Sequence, residues 1–162
     1  RKAEGRSPSL SFDLHAQWRG FESNGQWRFT PPVQVLAALD AALRQHTAEG
    51  GVAGRGARYA GNCRMLVSGM RELGFETLLD DAVQAPVIVT FREPADPNYD
   101  FTKFYAALHE RGYSIYPGKL TKVDSFRIGC IGHLGALEMN GALKAVDQTL
   151  VEMGVQLEKV AS

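Results

Sequence analysis

The run Phe126-Arg127-Ile128-Gly129-Cys130-Ile131-Gly132 constrains the fold more than any other stretch, because an extended chain cannot bury both of its faces here. Side chains alternate along a strand, so Phe126, Ile128 and Cys130 share an apolar face while Arg127 points the other way. That pattern asks for a sheet covered on one side, with the arginine in a cleft or in water. Gly129 and Gly132 remove bulk beside the guanidinium and leave room for a flat anion. The fork of N–H donors on arginine matches a carboxylate or a phosphonate two bonds at a time. An ordinary surface ion pair is the other reading of the same residues.

At 162 residues, 44% hydrophobic and 22% charged, the chain has the length and mixture of one soluble domain with a sizeable core. Its 18 Lys and Arg balance 18 Asp and Glu, so no overall field favours nucleic acid or an anionic membrane as partner. No apolar run approaches the roughly 20 residues that a bilayer span requires. The charged start Arg1-Lys2-Ala3-Glu4-Gly5-Arg6 is followed by nothing like a secretory signal. Cys63 and Cys130 belong to no CxxC or Cys/His cluster, which predicts two reduced thiols in a cytoplasmic protein and no metal site. The chain begins without methionine in a charged segment, as a piece of something larger would.

Helices and strands alternate along the rest. Thr30-Pro31-Pro32 predicts a helix start, with Thr30 as N-cap and Pro31 at the first helical position. Val33, Leu36, Ala37, Leu39 and Leu43 form its apolar stripe until Glu49-Gly50-Gly51. A second helix carries Tyr59, Cys63, Leu66, Met70 and Leu73 on one face and ends at Gly74. Its arginines, Arg55, Arg58, Arg64 and Arg71, read as the solvated side. Pro86-Val87-Ile88-Val89-Thr90-Phe91 predicts a central strand buried on both faces. Asp100 caps a short helix that Gly112 ends, Tyr113 to Tyr116 returns as a strand, and Pro117-Gly118 turns the chain into the arginine strand. A last helix from about Ala136 to Met153 buries Met139, Leu143, Val146, Leu150 and Met153. This order predicts an α/β fold, a small sheet with helices packed on one face over residues 51–162. Residues 1–50 read as connecting structure from another part of a fold.

Ser9-Leu10-Ser11-Phe12-Asp13-Leu14, Gln17-Trp18-Arg19, Trp27-Arg28-Phe29-Thr30, Leu78-Leu79-Asp80-Asp81, Tyr116-Pro117-Gly118-Lys119 and Phe126-Arg127-Ile128-Gly129 resemble, in order and spacing, the C-terminal half of the 2-aminoethylphosphonate:pyruvate aminotransferase family. These are class V members of the fold-type I enzymes that use pyridoxal 5′-phosphate. The resemblance runs from about Gly5 to Met153. It implies that residues 1–50 end a large cofactor domain, that residues 51–162 are the C-terminal small domain, and that the protein works as a homodimer. The implied reaction moves the amino group of 2-aminoethylphosphonate to pyruvate, giving phosphonoacetaldehyde and L-alanine.

Two residues carry over. Arg127 matches the family arginine that binds the anionic end of the substrate. Thr30 matches the threonine that hydrogen-bonds the cofactor phosphate, a role that suits a helix start; its other reading is a plain N-cap. Lys119 is expected to add positive potential without direct contact. The Schiff-base lysine lies upstream of everything in this chain, and Lys2, Lys103, Lys119, Lys122, Lys144 and Lys159 are in the wrong contexts to replace it. Without it the chain alone is expected to be inactive and to expose surfaces that other parts of the enzyme cover, including the Thr30 helix. Cys130 stands where many members have asparagine, with the expected effect of loosening a hydrogen bond beside Arg127. Two other readings remain: a class V relative acting on alanine, serine or glyoxylate, and a non-catalytic remnant.

Overall fold

The computed structural model describes residues 4–118 and 122–158, which divide into two compact units between Ala48 and Glu49. In the first unit, α1 (Leu14–Asn24) is capped by the Asp13 carboxylate, which accepts from the Ala16 N–H at 2.9 Å, and it stops at Gly25 in the left-handed conformation. The sequence reading gave no helix here. α2 (Val33–Ala48) starts later than its cap residues predict. The Pro32 carbonyl takes the Leu36 N–H at 3.0 Å and the Pro31 carbonyl takes the Val33 N–H at 2.9 Å, so both prolines precede the helix and Thr30 does not cap it. No described residue of this unit is buried: Val33, Leu36, Leu39 and Leu43, expected as a stripe, are 55%, 38%, 53% and 55% exposed.

The second unit is built on α3 (Gly51–Glu72), β1 (Ile88–Arg92), α4 (Phe101–Glu110), β2 (Tyr116–Pro117), β3 (Ser125–Gly129) and α5 (Ala136–Met153). The sheet order is β1-β3-β2, all antiparallel. The arginine strand β3, not β1, is therefore central. β1 alternates rather than burying both faces, with Val89 and Phe91 in the core and Ile88 and Thr90 only half-buried. On its outer side β1 pairs briefly with residues 76–78: the Leu78 N–H donates to the Thr90 carbonyl at 2.8 Å and the Arg92 N–H to the Glu76 carbonyl at 2.9 Å.

Phe126 sits at the centre of the core. Its ring lies 5.4 to 6.2 Å from those of Phe75, Phe91, Phe101 and Phe104, where offset and edge-on contacts stabilise beyond simple burial. Leu66 and Met70 of α3, Phe104 and Leu108 of α4, and Met139, Val146 and Leu150 of α5 close over the same sheet face. α4 has the expected cap, the Asp100 carboxylate accepting from the Lys103 N–H at 2.8 Å. α5 buries Ala142, Ala145 and Thr149 beside its larger side chains, while the expected Leu143 and Met153 are partly buried. No helix among the described residues is long and apolar enough to cross a membrane.

Candidate functional site

Arg127 lies on the sheet face opposite the helices. Its cross-strand neighbours there are Thr90 on β1 and Tyr116 on β2, so the three side chains form a row across the sheet. Burial follows the predicted alternation: Phe126 and Ile128 are buried and Arg127 is half-exposed. The guanidinium Nη2 donates to the Pro117 carbonyl at 3.1 Å, which ties the arginine to the hairpin end of β2. Its Nε is buried with no hydrogen-bond partner among the described residues, and no described carboxylate pairs with the group. The ion-pair reading of Arg127 is thus not what this structure shows. Nor does Arg127 line the cavity of about 730 Å³ between sheet, α4 and α5, whose walls include Ile88, Ile128, Leu134 and Met139.

Three glycines near Arg127 have different reasons to be there. A side chain at Gly129 would meet nothing within 4 Å, so the space at that position is open. Gly132 instead supplies a φ of +106°, which the turn after β3 requires, and it clears nothing beside Arg127. Gly118 is needed by contact: an added Cβ would sit 2.1 Å from the Ser125 hydroxyl and 2.5 Å from its carbonyl, where the hairpin closes. Lys119 lies outside the described residues.

Cys130 corrects a second expectation. Its side chain is fully buried in the helix-covered core, on the face away from Arg127, so it cannot alter a hydrogen bond beside the guanidinium. Burial pushes its thiol up to about 12, and burial also raises that of Cys63; each thiol is close enough to perturb the other. Both are free thiols in the structure.

The segment that follows β3 is held by Arg58, which the sequence places on the solvated side of its helix, and by Asn62. Arg58 Nη1 donates to the Gly132 carbonyl at 2.6 Å and the Leu134 carbonyl at 2.7 Å. Asn62 Nδ2 donates to the Cys130 carbonyl at 3.1 Å and the Leu134 carbonyl at 3.0 Å. Arg58 is itself anchored, its Nε 2.5 Å from Glu49, whose other oxygen takes Arg55 at 2.7 Å. Hydrogen bonds from both arginines hold the Glu49 carboxyl down at about 2. Arg71 likewise pairs with Asp81 at 2.6 Å. The available signal was Asn62, a polar residue one position before a core cysteine, since a buried amide must find partners.

Thr30 lies in the first unit, exposed, with no hydrogen bond to its hydroxyl among the described residues. Freed from capping, the hydroxyl is available to an outside acceptor. The helix start offers less than expected, because Pro31 and Pro32 have no N–H and the Val33 N–H is already used.

No family model matches the chain. It is 57% identical over 155 residues, 96% of its length, to the 2-aminoethylphosphonate–pyruvate transaminase of Paraburkholderia phymatum, and 59% identical over the same length to that of Burkholderia mallei. The chain spans only 42% of the length of these relatives. Among solved structures it superposes with TM-scores of 0.78 on pyridoxamine–pyruvate aminotransferase from Mesorhizobium loti, at 24% identity, and 0.74 on ureidoglycine–glyoxylate aminotransferase from Bacillus subtilis, at 21%. It covers 96% and 94% of its own length in these superpositions and 40% of each of those chains, so the small sheet with helices on one face is the fold of a part of an aminotransferase. With such identity along nearly all of its residues, the chain belongs to the 2-aminoethylphosphonate–pyruvate transaminase family.

Proposed function

We propose that this chain is the C-terminal part of a pyridoxal 5′-phosphate-dependent aminotransferase of the cytoplasm that moves the amino group of 2-aminoethylphosphonate to pyruvate. The observation that carries the reading is Arg127, a guanidinium without a described carboxylate partner on the helix-free face of the central strand. A phosphonate and a carboxylate both present paired oxygens at the spacing of an arginine fork, so one residue serves the donor and the acceptor in turn. Its contribution is positioning and charge complementarity rather than proton transfer.

The donor set of this chain fits the edge of a cofactor site. The Thr30 hydroxyl, uncommitted among the described residues, suits a phosphate oxygen. The covalent attachment point does not fit: Lys103, Lys122 and Lys144 are exposed and line none of the unit's main cavities, and Lys2, Lys119 and Lys159 lie outside the described residues. The family resemblance places that lysine upstream of the residues present here, in the rest of the protein. When bound, the cofactor supplies the electron sink that makes the carbon bearing the amine acidic. Thr30 would hold the cofactor phosphate of the neighbouring subunit's site, the role that the family resemblance implies, and Arg127 would hold the anionic end of the substrate in its own site. The exposed apolar residues of α2 are the surface that the rest of a homodimer covers.

The complete protein, assayed with pyruvate against 2-aminoethylphosphonate, serine and alanine as donors, and with glyoxylate as the alternative acceptor, tests this. The expected result is the highest kcat/KM for 2-aminoethylphosphonate with pyruvate. A preference for serine or glyoxylate, or no turnover at all, would replace the reading by one of its competitors.

A further inference from the structure

The turn from β3 into α5 has an unusual set of partners. The carbonyls of Cys130, which is buried, of Leu134, which is half-buried, and of the exposed Gly132 accept no backbone N–H among the described residues; every hydrogen bond they receive there comes from Arg58 and Asn62. Backbone carbonyls turned toward protein need donors, so the path of this turn is set by these side chains of α3. Asn62 is 3% exposed, and the Arg58 guanidinium is oriented by Glu49, the residue that opens the second unit. The Cys130 N–H still belongs to the sheet, donating to the Val87 carbonyl at 2.9 Å. Any shift of the turn is therefore passed through Cys130, three residues from Arg127, to the end of β3.

We propose that Arg58 and Asn62 are positioning residues for Arg127: they clamp residues 130–134, and through them the central strand, so that the guanidinium stands where the substrate anion arrives. The inference rests on the substrate-binding reading of Arg127. It explains why a helix face that looks solvated holds a bridged carboxylate and a buried amide at this one place. Misplacing a binding group by a fraction of an ångström to an ångström weakens the grip on substrate without removing the chemistry.

The test uses the complete aminotransferase and four variants: Arg58→Ala, Arg58→Lys, Arg127→Ala and the double Arg58→Ala/Arg127→Ala. Arg58→Ala is expected to raise KM for both 2-aminoethylphosphonate and pyruvate about 10-fold, with kcat changed less than about threefold and cofactor absorbance retained. Arg58→Lys, which keeps a cationic donor on a long side chain, should recover part of that loss. On the Arg127→Ala background the Arg58 change should add nothing to KM, because both act on one contact. An equal KM rise on both backgrounds, or a loss of thermal stability with KM unchanged, overturns the clamp. If Arg58→Ala does not fold, Arg58→Gln decides in its place by the same two criteria. If Arg127→Ala itself leaves KM unchanged, the substrate-binding reading falls, and the clamp with it, which separates that failure from a failure of the clamp alone.

Discussion

Residues 4–48 and residues 49–158 carry similar apolar side chains and treat them in opposite ways. In the first unit Phe12, Leu14, Leu39 and Leu43 are 81%, 79%, 53% and 55% exposed; in the second Phe91, Phe104 and Phe126 are completely hidden. α2 and α3 both show apolar residues at helical spacing, yet only α3 meets a sheet and a second helix that close over its stripe. The difference teaches that helical periodicity marks a face and does not say what covers it. Where the cover is part of the chain, the stripe becomes a core. Where it is not, the stripe is a surface for something else, and in this family more than half of the protein lies beyond the residues present here.

The sharpest way to break that contrast is a pair of truncations in this chain, followed by denaturant unfolding. Phe126→Ala should destabilise by about 3 to 5 kcal/mol, because it empties the centre of an aromatic cluster. Leu39→Ala should change stability by less than about 0.5 kcal/mol, since nothing packed is lost. Comparable losses from both would mean that α2 is covered after all. Next in size, Asp100→Ala should cost about 1 kcal/mol by removing the cap of α4, with the midpoint falling and the denaturant slope unchanged.

The smallest effect concerns Glu49, at the start of the second unit. Its folded carboxyl titrates at about 2, below the ordinary value of 4.5, so its stabilising pairing is fully present above that ordinary value. The contribution is lost as pH falls from there through about 2. Carboxyl NMR should place the Glu49 midpoint well below the ordinary value of 4.5, and Arg58→Ala should move it upward. A midpoint unchanged in that variant would mean the Arg58 pairing is not formed in solution.

Much of the second unit was legible in the sequence because its signals are local. The α3 stripe, the Asp100 cap, the alternation of β3 and the span of α5 all depend on near neighbours. The central position of β3 was not legible, since an apolar run such as 86–91 reads the same in the middle of a sheet as beside one. α1 has no signature in the sequence because none of its described residues is buried, and α2 starts after the position its sequence suggests because Thr30-Pro31-Pro32 carries a cap signature that the structure does not use. At the candidate site, the face of Arg127 followed from strand geometry alone. The carbonyls that Arg58 and Asn62 hold did not, because they lie more than 60 residues away in sequence and only the folded chain brings them together.

Kinetics of Arg127→Ala in the complete aminotransferase tests the central claim most directly. Removing a charge-assisted fork should raise KM for both 2-aminoethylphosphonate and pyruvate by about 100-fold while cofactor absorbance stays at the wild-type level. Unchanged KM values, or loss of the cofactor, would contradict a guanidinium that grips the anionic end of the substrate.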